Sequence, residues 1–133
     1  MAKTKQIALD PEVVNLCAAI NRVQGLQTYA SCCGHGKHPV DVWVHVADLQ
    51  ALYPLLRAID WRYGGPLSED GTWTCEAMST DLTAKGRSVV FFLHSQSKGD
   101  QAYAEAEQVA QNLDRILADK AVCKAFGVVP VSV

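Results

Sequence analysis

Long hydrophobic runs are missing from this sequence. No apolar stretch approaches the length that crosses a bilayer, so no membrane partner is expected. Met1-Ala2-Lys3-Thr4-Lys5 leads into no signal-type apolar segment, and the expected localisation is cytoplasmic. An excess of one charge is missing as well. The net charge is −2 at pH 7, which implies no basic face and argues against binding nucleic acid mainly through bulk electrostatics. Low-complexity segments and linkers are absent, so the chain reads as one domain over 1–133. The Cys-x₂₋₄-Cys pairs that usually introduce a structural zinc site are absent too.

The chain does carry enough apolar residues for a core. With 133 residues, 49% hydrophobic and 20% charged, it has the balance of a globular domain and not of a disordered one. Cys17, Cys32, Cys33, Cys75 and Cys123 make an odd number. In a reducing compartment, free thiols or metal ligands suit them better than a disulfide framework.

Periodicity organises the chain. Asp10 and Pro11 open a helix as N-cap and first helical residue, with Val13, Leu16, Cys17 and Ile20 on one face and an end before Gly25. Leu26 to Ser31 reads as a short strand. Val40 to Val46 is the clearest strand, with four valines on one side and Asp41, Trp43 and His45 on the other. Asp48 caps a helix to about Ile59, with Leu49, Leu52, Leu55, Leu56 and Ile59 apolar and Pro54 kinking it or delaying its regular part. Trp61 to Tyr63 reads as a brief strand, Thr72 to Ser79 as a longer one, and Val89 to Leu93 as a central one. Asp100 caps a helix to about Lys120 with Tyr103, Ala106, Ala110, Leu113 and Leu117 inward. Val44-His45-Val46 and Leu93-His94-Ser95 form a weak internal echo, each leading from a strand to an Asp-capped helix. The expected fold is α/β (α+β): one two-layer domain, a mixed sheet with about three helices packed on it.

Chemistry concentrates in Ser31-Cys32-Cys33-Gly34-His35-Gly36-Lys37-His38, which holds two thiols, two imidazoles, a hydroxyl and an ammonium. Gly34 and Gly36 permit positive φ and close approach of a ligand to the backbone. Three readings of the loop stand side by side. It is a strained turn with Cys32 in the core, or an anion or nucleotide cradle built from backbone N–H groups, or a metal site using Cys33, His35 and His38. On the strands, Asp41 and His45 form a solvated face or a pocket wall beside the loop, and His94 is a satisfied core histidine or a group at a strand-end site. Trp61 and Trp73 are base-stacking or core aromatics.

The order Asp10-x-x-Val13-Val14-x-Leu16, Asn21, then Thr28-Tyr29-Ala30-Ser31-Cys32-Cys33-Gly34 resembles the opening of the wybutosine-synthesis tRNA methyltransferases of the third-step kind. That family has a helix, a Thr/Ser-rich strand and a Ser-Cys-Ser/Ala-Gly-Arg signature. His35 stands where the signature has arginine, and Phe91-Phe92-Leu93-His94 resembles a family strand ending in Leu-His. The resemblance implies an α/β fold and a pocket for S-adenosylmethionine and a modified guanosine in tRNA. Ser31, Cys32 and Gly34 would line it, and His94 would face it. The Ser-Cys-Cys-Gly-His-Gly string also resembles small uncharacterised proteins of bacteria and their viruses.

Together these readings lead to an expected domain that binds a nucleotide-like or other anionic small molecule, with methyl transfer as the reaction the resemblance implies. Thr28, Ser31, Cys32, Cys33, Gly34, His35, Gly36 and Lys37 are the candidate binding residues, and His45, His94 and Asp41 the acid–base candidates. S-adenosylmethionine is the implied cofactor and tRNA an implied partner. The alternative is a zinc-stabilised protein-interaction module held by Cys33, His35 and His38.

Overall fold

β2 (Pro39–Val46) sets the architecture. Val40, Val42, Val44 and Val46 are buried and alternate with half-buried Asp41, Trp43 and His45, so helices must cover one face of any sheet built on it. The computed structural model describes residues 9–65, 73–83 and 86–131. In it, β1 (Leu26–Cys32), β2, β3 (Thr74–Thr83) and β4 (Gly86–Lys98) form a sheet in the order β1-β2-β4-β3. The helices are α1 (Val14–Asn21), α2 (Leu52–Ile59), α3 (Asp100–Ala118) and α4 (Lys120–Phe126). Leu16, Ile20, Leu55, Val109 and Leu113 from the helices join the β2 valines and Leu93 in one core. The expected two-layer α+β domain is therefore the observed one. Its sheet is not mixed, because all three pairings are antiparallel, and among the described residues there are four α-helices.

The echo between His45 and His94 has a different structural meaning from the one expected. Hairpin β1–β2 leads to α2 and hairpin β3–β4 to α3, and the two second strands pair antiparallel. The register of each hairpin shifts once, at Tyr29 between Thr28↔Val44 and Ala30↔Trp43, and at Met78 between Ala77↔Phe91 and Ser79↔Val90. Aligned on these bulges, His45 is level with Phe92. His94 lies inside β4, which runs on to Lys98.

Local side-chain bonds account for the other departures. A 3₁₀ turn, Pro11–Val13, precedes α1, but the Asp10 side chain does not cap it. Asp48 caps a 3₁₀ turn, Leu49–Ala51, through the Gln50 N–H (3.0 Å). Pro54 then falls in the first turn of α2, where its missing N–H is harmless. Leu49 and Leu56 are 60% and 40% exposed, so they do not belong to the apolar face. Trp61–Tyr63 is a 3₁₀ turn and not a strand, because Asp60 accepts from the Arg62 N–H (3.0 Å) and Gly64 closes the turn at φ 87°. Gly99 is the N-cap of α3, which makes Asp100 its first residue. Asp119 ends that helix with an extended backbone and caps α4 through the N–H groups of Ala121 and Val122.

Two polar networks pin the layers. Buried Asn112 of α3 donates to the carbonyls of Ala58 (3.1 Å) and Gly64 (3.0 Å), fixing the end of α2. Buried Glu105 accepts from Trp73 Nε1 (3.0 Å) and Ser97 Oγ (2.5 Å), tying the segment before β3 to α3. Trp73 is thus a core anchor, whereas Trp61 is 57% exposed.

Leu93 has no exposed surface. Leu93→Ala should cost about 2–5 kcal/mol in chemical denaturation, and Leu49→Ala should stay within about 0.5 kcal/mol. Equal losses would contradict this description of the core.

Candidate functional site

Among the described residues no helix packs on the second face of the sheet. Registered pairs place Cys32, Asp41, His94 and Thr74 in one row across all four strands. The next row contains Ala30, Trp43, Phe92 and Glu76. The rings of this face touch one another. Trp43 and Phe92 centroids are 4.5 Å apart, Phe92 stacks on His94 at 4.8 Å, and Tyr29 lies 4.3 Å from His45.

The expected acid–base residues thus share a face. His94 presents Nδ1 to the Ser95 carbonyl (3.1 Å) and Nε2 to Thr74 Oγ1 (2.5 Å) and Glu76 Oε1 (3.2 Å). Asp41 sits between Cys32 and His94, and partial burial raises its carboxyl above the ordinary range against the opposing pull of His94. His45 is further along β2, with Nδ1 3.1 Å from Ser88 Oγ.

The loop between β1 and β2 is closed by the protein itself. Cys33 is αR, and Gly34, His35 and Gly36 all have positive φ, at 77°, 53° and 76°. Such a turn gathers N–H groups. Here the Cys33 N–H donates to Asp10 Oδ2 (3.0 Å), the Gly34 N–H to Cys32 Sγ (3.3 Å) and the His35 N–H to Cys33 Sγ (3.3 Å). The Asp10 carboxylate occupies part of the expected anion cradle, and these bonds hold it below the usual carboxylate range. Tyr103 of α3 lies beside this loop, and burial raises its phenol above the ordinary range. The Gly34 N–H is already bonded, and His35, Lys37 and His38 are exposed.

The remaining candidate residues separate. Thr28 and Ser31 pair with Val44 and Val42 and so lie on the helix-covered face. Thr28 Oγ1 accepts from Asn21 Nδ2 (2.9 Å), while Ser31 Oγ is buried beside Cys17. Cys33 is buried, so Cys32 is the thiol on the open face, which goes against the one of the three readings that put Cys32 in the core. Cys33, His35 and His38 do not converge as metal ligands. Among the described residues the group that does converge is Asp10, Cys32 and His35, whose ligand atoms all lie within 4.8 Å of one another. Two clefts of about 280 and 230 Å³, lined by Arg57 with Arg115 and by Asp48 with Val128, share none of these residues.

The sequence presented Asp10 as a cap, Tyr103 as an inward helix residue and Asp10 and Tyr29 as parts of a motif, and Thr74 and Glu76 carried no signal of their own. The alternation Phe92-x-His94 carried the open-face signal in β4, but the apolar run around it concealed the period.

Fold and site together define a two-layer α+β domain with an uncovered, ring-bearing sheet face beside a thiol–imidazole loop. The chain matches no family model, and no curated protein or solved structure is significantly similar to it. Among the described residues no helix is long and apolar enough to cross a membrane.

A Cβ on Gly34 would stand 2.8 Å from the Pro39 carbonyl oxygen, whereas one on Gly36 meets nothing within 4 Å. Gly34→Ala should therefore cost about 2 kcal/mol or more and Gly36→Ala about 1 kcal/mol, read by thermal unfolding. Thiol reactivity should be equally uneven. Burial raises the thiols of Cys17, Cys33 and Cys123, and raises Cys75 to about 11. Iodoacetamide near neutral pH should modify half-exposed Cys32 first, as peptide mass mapping would show; first modification at Cys33 or Cys75 would contradict the geometry.

Proposed function

We propose that the protein binds a planar, nucleotide-like anionic ligand on the open sheet face, at the end where the Cys32–Lys37 loop joins it. The observation that carries this reading is the contiguous ring series Trp43, Phe92 and His94, with centroid spacings of 4.5 and 4.8 Å. It runs directly into the polar row Cys32, Asp41, His94 and Thr74. Stacking of a base on protein rings contributes about 1–3 kcal/mol and tolerates any π-face. Asp41 and the Thr74 hydroxyl then supply polar partners for the edge of a heterocycle. Lys37, His35 and His38, exposed on the adjoining loop, supply positive charge for a phosphate or carboxylate.

S-adenosylmethionine and a guanosine, the two molecules implied by the resemblance in the N-terminal third, both present a purine to such a surface. If the bound molecule also reacts, His94 is the acid–base group best placed to serve it. It lies at the junction of the ring series and the polar row, with Asp41 beside it. His45 makes its contacts with Tyr29 and Ser88, farther from the loop.

Calorimetric titration with adenosine and guanosine monophosphates and S-adenosylmethionine, in the presence of chelator, tests the proposal. At least one should bind. Trp43→Ala and Phe92→Ala should each weaken it by roughly 5- to 150-fold with unchanged circular dichroism. Lys37→Ala should weaken a nucleotide more than its nucleoside. Absence of binding by all three compounds, or wild-type affinity in Trp43→Ala, would refute the reading.

A further inference from the structure

The open face explains the rings and the polar row, but it leaves Asp10, Cys32 and His35 without a shared purpose. We infer that these three side chains form a binding site for a single divalent transition-metal ion of zinc's class. They come from separate parts of the fold: Asp10 precedes α1, Cys32 ends β1, and His35 is the centre of the following 3₁₀ turn, Gly34–Gly36. Carboxylate, thiolate and imidazole are a donor set that suits a borderline-soft ion and does not suit calcium or magnesium.

The spacing is close to what coordination needs. Zn–S near 2.3 Å and Zn–N near 2.1 Å place tetrahedral ligand atoms about 3.6 Å apart. The three ligand atoms here lie within 4.8 Å of one another, so they need to close by no more than about 1.2 Å. Small side-chain rotations achieve that.

The backbone is arranged around two of the ligands. Cys32 Sγ accepts the Gly34 N–H and Asp10 Oδ2 accepts the Cys33 N–H. Outer hydrogen bonds of this kind orient metal ligands and balance their charge. His35 adds an independent sign, because among the described residues it is the one non-glycine with positive φ. That conformation costs about 1–2 kcal/mol for an L-residue and persists where surrounding structure imposes it. In this loop it belongs to His35, whose Nδ1 lies 3.6 Å from Cys33 Sγ and which has a ring nitrogen within 4.8 Å of ligand atoms of Cys32 and Asp10.

On binding, the Cys32 thiol releases its proton to solvent and the sulfur takes the metal. Three protein ligands leave a fourth position open to water or to an anionic oxygen. Cys32 is paired with Asp41, the neighbour of His94, so this position adjoins the face assigned to the nucleotide-like ligand. Only that last link rests on the ligand reading; the metal site stands without it.

Cobalt(II) titration of the chelator-stripped, reduced full chain, with no nucleotide present, tests the site. Expected are one equivalent bound, a thiolate-to-cobalt charge-transfer band, and loss of the band on adding zinc. Cys32→Ser should abolish the band. Asp10→Asn and His35→Gln should weaken binding by more than the roughly 10–100-fold typical of outer-shell changes. Cys75→Ser and His38→Gln should keep the band. No band, a band that survives Cys32→Ser, or one lost with Cys75→Ser or His38→Gln would overturn the assignment. A second measurement needs no variant: zinc should slow iodoacetamide modification of Cys32 in the wild-type protein, and an unchanged rate would overturn it as well. The nucleotide titrations are run in chelator, so failure of one proposal is distinguishable from failure of the other.

Discussion

One-sided burial of β2 is the constraint on which the rest depends. Its valines stand at 0–2% exposure while the residues between them stay half-exposed. A strand with that pattern permits one helical layer, and shifting its register by one residue would bring Asp41, Trp43 and His45 into the core. Antiparallel neighbours on both sides propagate the rule. Leu93 joins the valines below, and Phe92 and His94 join Trp43 and Asp41 above. The ring-lined polar face therefore follows directly from the way the core is made.

The loop follows from a second, smaller constraint. Three consecutive left-handed residues collect N–H groups that need acceptors. Asp10 and the thiols of Cys32 and Cys33 provide them from within the chain. The Asp10 bond spans 23 positions and fastens the start of α1 to the tip of the first hairpin. In this way a turn that reads as a receptor for an outside anion becomes a frame bonded from within the chain, with His35, Lys37 and His38 left exposed.

Periodic segments were legible and locally capped ones were not. The alternation from Val40 to Val46 and the apolar face of α1 read correctly, because burial selects residues at the period of the element. Leu49 and Leu56 fitted a helical pattern yet are exposed, since the element begins as a 3₁₀ turn that rotates its face. The turn at Trp61–Tyr63 and the helix after Asp119 depend on single aspartate caps whose partners lie two or three residues on. Aromatic and apolar composition outweighed that signal. The site was legible as a loop and three polar residues on two strands, but the grouping was not. Cys33 and His38 looked equivalent to Cys32 and His35 until the loop's three-dimensional course buried Cys33 and brought Cys32 and His35 near Asp10.

What the sequence determined by itself is the class: one α+β layer pair, a valine strand with a polar face, and a chemically dense loop. These depend on residues a few positions apart, where periodicity and backbone preference act directly. Tertiary structure alone decided that β2 and β4 pair antiparallel, that Phe92 and His94 complete the face begun by Trp43 and Asp41, and that Asp10 meets Cys32 and His35. Each of those contacts joins residues more than twenty positions apart, and packing of the whole core, not local pattern, sets which of them meet.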